Sequence, residues 1–345
     1  MKVRNIIVLL VTIFSLVLAG CGANTASTAA SGSSGNNSGS ASAGKEVTLK
    51  AVSAWVDKTD ANDALKYLIN EVNDKGKGQV QIKLLGGPEV VPTMQLINAV
   101  KNGTVDIAYL SASYTTSLVP EALAFKLIPV SAEQMRQNGL FDLFNKIYQQ
   151  KANSVYLGWG NPNLHFCLYS NVPIKTLADF KGKPFRGTPA YQDLITALGA
   201  APVTIDPGEV YTALDKNVVV GYGWQTTGIK DYGWDTKTKY IISPDFYQTD
   251  AIFLVNKDKW NSLSDTQKKI LTDSAIDMEK NMEQHWGQIE KQYQQDLVKE
   301  GLQMDQLSPE DSKTFLKLSV DSVMNTVLKT CPEYGPQLQK LLTQK

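Results

Sequence analysis

The chain has 345 residues, of which 43% are apolar and 20% are charged, with 34 basic and 34 acidic side chains. This composition is typical of a folded globular protein and excludes a disordered or fibrous chain. The balanced charge, without a basic stripe, argues against a nucleic-acid partner, and the length fits about two domains or two lobes of one unit.

The N-terminus carries a predicted targeting signal. Lys2 and Arg4 precede an apolar run from Ile6 to Ala19, which has the length of a signal-peptide core and is too short to cross a bilayer as a helix. The run ends at Leu18-Ala19-Gly20-Cys21, which resembles the lipobox of bacterial lipoproteins. The resemblance implies cleavage before Cys21 and acylation of its thiol, so we predict a lipoprotein signal peptide at residues 1–20. The alternative is a secretory signal whose cleavage site happens to contain a cysteine.

A flexible linker is predicted next. Residues 22–44 contain only Gly, Ala, Ser, Asn and Thr, and they offer no apolar side chain larger than alanine with which to build a core. We therefore predict that residues 21–44 form a lipid-anchored cysteine and a tether to a folded body.

Strands and helices alternate in residues 45–170, the predicted first lobe. Asp60 and Pro92 are placed to begin two helices, which end near Gly76 and Gly103. This alternation predicts a mostly parallel sheet. The predicted strands are Val47–Trp55, Val80–Leu85, Val105–Leu110, Val155–Trp159 and His165–Tyr169.

A second lobe is predicted over residues 171–255. One helix is predicted from Tyr191 to Leu198, and another begins after Asp206, which is a suitable cap with Pro207 at the first helical position. The predicted strands are Phe185–Thr188, Val203–Ile205, Val218–Val220, Tyr240–Ile242 and Ala251–Val255.

Residues 256–345 are predicted to be mainly helical and to pack across the two lobes. Ser264 and Gln267 form a capping-box pattern, and apolar residues then recur at helical spacing from Leu271 to Leu297. This pattern predicts one long helix with a single buried stripe. Ser308 begins a further predicted helix.

The sequence contains no recognisable catalytic or metal-binding motif. Its two histidines, His165 and His285, are far apart, and it has no zinc spacing, glycine-rich nucleotide loop or nucleophile elbow. We therefore predict a protein that is not an enzyme and that has no metal site or cofactor of its own, while the sequence leaves open whether a metal ion assists ligand binding. Cys167 and Cys331 remain after Cys21 is assigned to the anchor, and two buried thiols are favoured over a disulfide bond.

Arginine is rare in this chain, which uses lysine for nearly all of its basic positions. Arg4, Arg136 and Arg186 are the only arginines. Arg136 lies in a polar helical stretch and is predicted to be a surface residue. Arg186 lies where a turn enters a strand, and its planar guanidinium suits a carboxylate better than a lysine ammonium does. The residues alone leave two interpretations of Arg186 open, a ligand contact and a structural ion pair.

Aromatic residues occur near the ends of several predicted strands. In open α/β sheets, ligands bind outside the carboxyl ends of the strands, so these side chains are placed to surround a cleft. Ordinary core packing is the alternative for each of them taken singly. The residues are Trp55, Trp159, Tyr222, Trp224, Phe246 and Tyr247.

A set of motifs adds a family resemblance. Gly182-Lys183-Pro184-Phe185-Arg186 is followed by Leu198-Gly199-Ala200-Ala201-Pro202-Val203 and by Glu209-Val210-Tyr211-Thr212-Ala213-Leu214. Upstream, Gly103-Thr104-Val105-Asp106-Ile107-Ala108 fits the same pattern. In order and spacing, these motifs resemble the DctP-type extracytoplasmic solute receptors of tripartite ATP-independent periplasmic (TRAP) transporters, over roughly Val47 to Glu300.

The resemblance implies an α/β, two-lobed, periplasmic-binding-protein-like fold with mostly parallel sheets, hinge strands and a long C-terminal helix. It implies a receptor that captures a small organic acid outside the membrane and delivers it to TRAP permease subunits. With the N-terminal signal, we expect this receptor to be lipid-anchored at the outer face of the cell membrane or in the periplasm. The alternatives are a receptor for an ABC importer or sensor kinase, and a surface-anchored hydrolase.

The resemblance assigns the ligand carboxylate to Arg186. Relatives that bind sialic acid carry another arginine near the strand that here contains His165, and metal-assisted relatives carry a carboxylate near Gln248, so the chain departs from both groups. The other candidate ligand-binding residues are Trp224, Glu89, Trp55, Ser111, His165, Phe166, Tyr211, Tyr247 and Gln248.

Overall fold

A computed structural model describes residues 46–344 of the chain. The predicted signal peptide, Cys21 and the linker that ends at residue 44 lie outside the described residues. Within residues 46–344, no helix is both long and apolar enough to cross a membrane.

The described residues form two mixed sheets with helices packed around them. The strands are β1 (Val47–Ser53), β2 (Val80–Gly86), β3 (Ile107–Ser111), β4 (Ser154–Trp159), β5 (His165–Ser170), β6 (Pro184–Arg186), β7 (Ala201–Val203), β8 (Gly221–Gln225), β9 (Tyr240–Gln248), β10 (Ala251–Asn256) and β11 (Gln303–Gln306).

The first sheet has the strand order β2-β1-β3-β10-β4, and the second has the order β11-β9-β5-β8-β6-β7. Strand β1 pairs in parallel with β2 and β3, whereas β10 runs antiparallel to β3 and β4. In the second sheet, β5 runs antiparallel to β8 and β9, and the other pairings are parallel. The predicted α/β class is therefore confirmed, with sheets that mix both strand directions.

The chain crosses directly from one sheet to the other at two places, just before β5 and just before β10. Residues 160–164 join β4 to β5, and residues 249–250 join β9 to β10. The predicted lobe boundaries place β5 in the first lobe and β10 in the second, whereas each strand pairs in the other sheet. Two connections therefore run side by side from one sheet to the other.

Helices cover both sheets. They are α1 (Asp63–Lys75), α2 (Leu96–Lys101), α3 (Ala132–Gln137), α4 (Leu140–Lys151), α5 (Gln192–Ala197), α6 (Val210–Asp215), α7 (Lys257–Ser262), α8 (Asp265–Lys299), α9 (Pro309–Thr330) and α10 (Gly335–Thr343).

The long helix α8 begins as the sequence predicts and contacts both sheets. Ser264 and Gln267 form the predicted capping box. The Glu279 carboxylate accepts a hydrogen bond from the backbone N–H of Trp159 in β4 (2.8 Å), and Glu290 accepts one from the N–H of His165 in β5 (2.9 Å). One helix thus braces strands from the two sheets.

Four local predictions are wrong. Asp60 does not cap α1, because its carboxylate instead accepts a hydrogen bond from Gln225 Nε2 (2.9 Å), and the side chain of Asp206 makes no cap hydrogen bond either. Arg136 is not a free surface residue: its Nε donates to Glu279 at 2.6 Å. The strand predicted at residues 218–220 begins only at Gly221, where the backbone pairs with β5 and β6.

The cysteine prediction is confirmed. Cys167 and Cys331 are both buried and both carry free thiols. Burial raises the pKa of the Cys167 thiol well above its ordinary value, which keeps it protonated and unreactive. Cys167 thus packs as a small apolar residue in β5.

Candidate functional site

A cavity lies where the carboxyl ends of β1, β3 and β8 meet the two connections between the sheets. Trp55 follows β1, Ser111 ends β3, and Trp224 lies near the end of β8. The cavity volume in this structure is about 30 Å³. The lining residues are Trp55, Ser111, Tyr114, Asn161, Phe166, Ala190, Tyr191, Trp224, Gln225, Thr249, Asp250 and Ala251.

Arg186, the last residue of β6, lies beside this cavity with its side chain completely buried. Its Nε donates to the carbonyl of Ile205 (2.8 Å), and its Nη1 donates to the Tyr191 hydroxyl (2.7 Å). Nη2 has no hydrogen-bond partner within residues 46–344. Among the described residues, no carboxylate lies within salt-bridge distance of Arg186, whereas Arg136 pairs with Glu279.

A buried arginine without an acidic partner is an unusual arrangement. Desolvation of a charge costs several kcal/mol, on the order of the whole stability of a small domain, unless an opposite charge and hydrogen bonds offset it. Here the carbonyl and hydroxyl groups around Arg186 satisfy part of the guanidinium and leave one nitrogen free. The structural ion pair that the sequence left open is not found among the described residues. The arrangement is complementary to an anion.

Two aromatic residues hold the guanidinium in place. Its central carbon lies 5.6 Å from the Trp224 ring centroid and 5.9 Å from that of Tyr191. Gly223 makes the packing of Tyr191 possible, because a Cβ there would lie 2.8 Å from the tyrosine ring. The indole Nε1 of Trp224 is buried and has no hydrogen-bond partner in the described part of the chain. Trp224, which lines the cavity, therefore provides a second unused hydrogen-bond donor near Arg186.

Residues of the first sheet and the two connections form the rest of the wall. Trp55 packs against Tyr109 with ring centroids 5.1 Å apart. The Tyr109 hydroxyl donates to Asn161 Oδ1 (2.6 Å), which fixes the amide of Asn161. The Thr249 hydroxyl donates to the Asn161 carbonyl at 2.9 Å. These bonds lock the two connections together next to the cavity.

Asp250 is the only acidic residue in the cavity wall. Its Oδ1 accepts from the Ser111 hydroxyl (2.6 Å), and its Oδ2 accepts from the backbone N–H of Ser113 (2.9 Å) and from the Ser113 hydroxyl. The side chain is 1% exposed. Asp250 thereby fixes the segment that follows β3.

Gln225 links the cavity to the start of α1. Its Nε2 donates to Asp60 Oδ1 (2.9 Å) and to Thr227 Oγ1 (3.2 Å). The Asp60 backbone N–H donates to Asp231 Oδ2 (2.7 Å), so two hydrogen bonds join this part of the chain to residues that follow β8. Burial raises the pKa of Asp60 to about 7, with Asp231 and Asp63 adding to the rise.

The structure brings together five of the ten predicted ligand-binding residues. Trp55, Ser111, Phe166 and Trp224 line the cavity, and Arg186 lies beside it, next to Tyr191 and Trp224.

The other five predicted residues lie elsewhere. Glu89 is exposed and accepts from the N–H of Gly87 within its own loop, and Tyr211 is 40% exposed on α6. His165, Tyr247 and Gln248 line a separate surface groove. The hydrogen bond to Glu290 raises the pKa of His165.

Sequence reasoning missed several residues of the wall. Tyr191 and Tyr114 carry no motif signal, and Asn161 and Asp250 lie in connections whose position depends on strand pairing between distant segments. Gln225 was missed because the predicted strand ends at Val220, whereas β8 runs from Gly221 to Gln225. No group of three or more His, Cys, Asp or Glu side chains that could hold a metal ion occurs within residues 46–344.

Comparison with known proteins gives one family. Residues 52–329 match the family model described as "Bacterial extracellular solute-binding protein, family 7", of the DctP type. The chain is 24% identical over 310 residues to the monocarboxylate 2-oxoacid-binding periplasmic protein of Nostoc sp., covering 86% of this chain and 84% of that protein. It is 25% identical over 247 residues to the sialic acid-binding periplasmic protein SiaP of Vibrio cholerae, covering 68% and 75%.

Solved structures share the fold. A TRAP periplasmic solute binding protein from Desulfovibrio salexigens with bound orotic acid superposes with a TM-score of 0.78 at 23% identity, over 86% of this chain and 97% of that one. A Bordetella pertussis extracytoplasmic solute receptor binding pyroglutamic acid gives a TM-score of 0.77 at 17% identity, over 86% and 100%. The fold is therefore that of periplasmic binding proteins, and the relatives are binding receptors and not enzymes.

Proposed function

Because the chain belongs to bacterial extracellular solute-binding protein family 7, the DctP family of TRAP receptors, we propose that it captures a small organic acid outside the cytoplasmic membrane and delivers it to TRAP permease subunits. Relatives of this fold hold orotic acid, pyroglutamic acid and L-galactonate, all of which are small organic acids. The proposal extends that class of ligand to this chain.

The observation that carries the proposal is the unpaired charge of Arg186. The guanidinium is completely buried beside the cavity, lacks an acidic partner among the described residues and keeps Nη2 free. A ligand carboxylate would supply the missing countercharge and accept the free N–H in a charge-assisted hydrogen bond. The buried indole N–H of Trp224 is a second donor for the same oxygen atoms.

The cavity wall also supports a mechanism of capture. Trp55 and Ser111 come from the first sheet, whereas Phe166, Tyr191 and Trp224 come from the second sheet or the segment after β6. A ligand that contacts both groups binds most tightly when they are close together. Binding energy therefore shifts an open–closed equilibrium toward closed, with the connections at residues 160–164 and 249–250 as the hinge. The permease would then recognise the loaded receptor by its shape.

Location completes the proposal. The apolar run before Cys21 and the Gly/Ala/Ser-rich stretch behind it support export and lipid attachment, with the folded body tethered to the outer face of the membrane or held in the periplasm. A tethered receptor stays close to its permease, and the linker raises the local concentration of receptor there.

Native mass spectrometry of the purified receptor, followed by calorimetry with the acid found, tests the proposal. We expect a small carboxylic acid to bind with one-to-one stoichiometry and, in solution scattering, to reduce the radius of gyration. Uptake of that acid by cells should depend on an ion gradient; dependence on ATP would support an importer of the ABC class instead. Hydrolysis of esters or glycosides by the purified protein, without carboxylate binding, would contradict the proposal.

A further inference from the structure

Arg186 and Asp250 are a buried cation and a buried carboxylate at the cavity that do not pair with each other. Arg186 and Asp250 are both almost fully excluded from solvent, and neither makes a salt bridge within the described residues. Asp250 receives three hydrogen bonds, from the Ser111 hydroxyl, the Ser113 hydroxyl and the Ser113 N–H. Both oxygens act only as acceptors, which is the behaviour of an ionised carboxylate. All of its donors are neutral, so its negative charge is hydrogen-bonded but not neutralised.

Both charges lie at the same cavity: Asp250 lines it, and Arg186 packs against Tyr191 and Trp224, which also line it. Tyr114 lines the cavity together with Asp250. Burial raises the pKa of the Tyr114 phenol, Arg186 lowers it and Asp250 raises it, so the fields of both charges reach this one side chain. A ligand in the cavity therefore lies within reach of an attractive charge and of a repulsive one.

Lys126 does not remove the repulsion from the cavity. Its ammonium is buried and feels Asp250, but it donates to the carbonyls of Pro189 (3.1 Å) and Ala190 and does not line the cavity. Its hydrogen bonds are thus directed to the backbone, whereas Arg186 Nη2 remains free. Arg186, beside the cavity, is thus the cation with a free donor for a carboxylate, and the residues that line the cavity include no lysine or arginine.

The remaining polar groups near Asp250 favour a ligand group that donates hydrogen bonds. The Ser111 hydroxyl gives its proton to Asp250, which leaves its oxygen as an acceptor. Gln225 uses its Nε2 on Asp60 and Thr227, and its Oε1 makes no hydrogen bond within the described residues. A hydroxyl, an N–H or an ammonium group can bond to these acceptors, whereas a second carboxylate cannot.

We infer that Asp250 is a specificity-determining residue that restricts the ligand to monocarboxylates with a hydrogen-bond donor away from the carboxylate, and that it excludes dicarboxylates. The inference rests on the proposed function and deepens it, because it names the class of acid. A dicarboxylate placed on Arg186 brings its second negative charge next to Asp250 in a poorly hydrated space, where like charges repel strongly.

Calorimetry with acids of matched chain length tests the inference on the unmodified protein. The probes are 4-hydroxybutyrate, 4-aminobutyrate and succinate, with the corresponding five-carbon set. We expect the hydroxy or amino acid of a set to bind at least about tenfold more tightly than its dicarboxylate, a difference of about 1.4 kcal/mol. In Asp250→Asn, the ratio of affinity between the hydroxy or amino acid and its matched dicarboxylate should fall below about threefold. Asp193→Asn removes an acid outside the cavity and should keep the wild-type preference.

Three results would overturn the inference. The first is wild-type protein that binds a dicarboxylate as tightly as its matched hydroxy and amino acids. The second is a folded Asp250→Asn variant that prefers the hydroxy or amino acid over its matched dicarboxylate as strongly as the wild type does. The third is a preference for dicarboxylates that appears once calcium is added, because Asp250 would then hold a cation. These results leave the proposed function intact, whereas failure of every carboxylic acid to bind contradicts the proposed function and the inference together.

Discussion

Replacement of Arg186 by methionine tests whether this residue binds the ligand or only stabilises the fold. Methionine has a similar length and fills much of the same volume, but it carries no charge and donates no hydrogen bond. In the protein as described, the guanidinium donates to the Ile205 carbonyl (2.8 Å), to the Tyr191 hydroxyl (2.7 Å) and, more weakly, to the Gly223 carbonyl (3.4 Å). Its Nη2 is the group left for a ligand.

The two effects of the substitution differ in size. Without Arg186, a bound carboxylate is buried with no countercharge, which costs about 3–5 kcal/mol and corresponds to a loss of affinity of roughly two to three and a half orders of magnitude. The stability of the ligand-free protein changes much less. Loss of three hydrogen bonds costs on the order of 1 kcal/mol each, but removal of a buried, unpaired charge offsets that cost. We expect a net change below about 2 kcal/mol.

Calorimetry with the identified acid measures the loss of affinity. Thermal unfolding with and without the acid measures the change in stability. We expect Arg186→Met to lose the heat of binding and the ligand-induced rise in melting temperature, while its ligand-free melting temperature stays close to that of the wild type. Arg186→Lys should recover little affinity, because one ammonium cannot reproduce the planar fork. Affinity within about fivefold of the wild type in Arg186→Met, a difference of about 1 kcal/mol, would refute the role assigned to this residue.

Three further predictions follow from other residues. Trp224→Phe keeps an aromatic ring beside Arg186 but removes the five-membered ring with its indole N–H, so calorimetry should show affinity reduced by about 5- to 30-fold; unchanged affinity would mean that this N–H does not reach the ligand. Burial raises the pKa of Asp60 from 3.8 to about 7, so the folded protein retains a proton that the unfolded chain loses near pH 4, and stability falls as the pH rises between these values. Denaturant titration should therefore show Asp60→Asn to be more stable than the wild type at pH 8, by on the order of 2 kcal/mol for a partly exposed group, and equal to it near pH 4; a difference independent of pH would contradict this cause. Cys21→Ser should abolish lipid attachment in metabolic labelling, and undiminished label on the variant would contradict the predicted anchor.

Local patterns determined much of the secondary structure. The capping box at Ser264 and Gln267 and the helical spacing of apolar residues behind it predict α8 from neighbouring residues alone, and the helix forms there. The strand at residues 218–220 was misplaced, because Gly221 and Gly223 weaken strand propensity. In the fold, both glycines are needed: a Cβ on Gly221 would lie 2.3 Å from the Phe185 ring, and one on Gly223 would lie 2.8 Å from the Tyr191 ring. Tertiary packing therefore selects residues that local propensity disfavours.

The same division applies to the candidate site. The sequence by itself singled out Arg186, because arginine is rare in this chain and lies in a family motif, and it placed Trp55 and Trp224 at strand ends. It left open whether Arg186 has an acidic partner. The answer depends on which distant segments surround the guanidinium. In the fold, Asp250 is hydrogen-bonded to Ser111 and Ser113 and forms no salt bridge with Arg186 within the described residues. The burial of the Arg186 guanidinium and its lack of an acidic partner both depend on residues far away in the sequence. Only the tertiary structure could therefore show that this charge is available to a ligand.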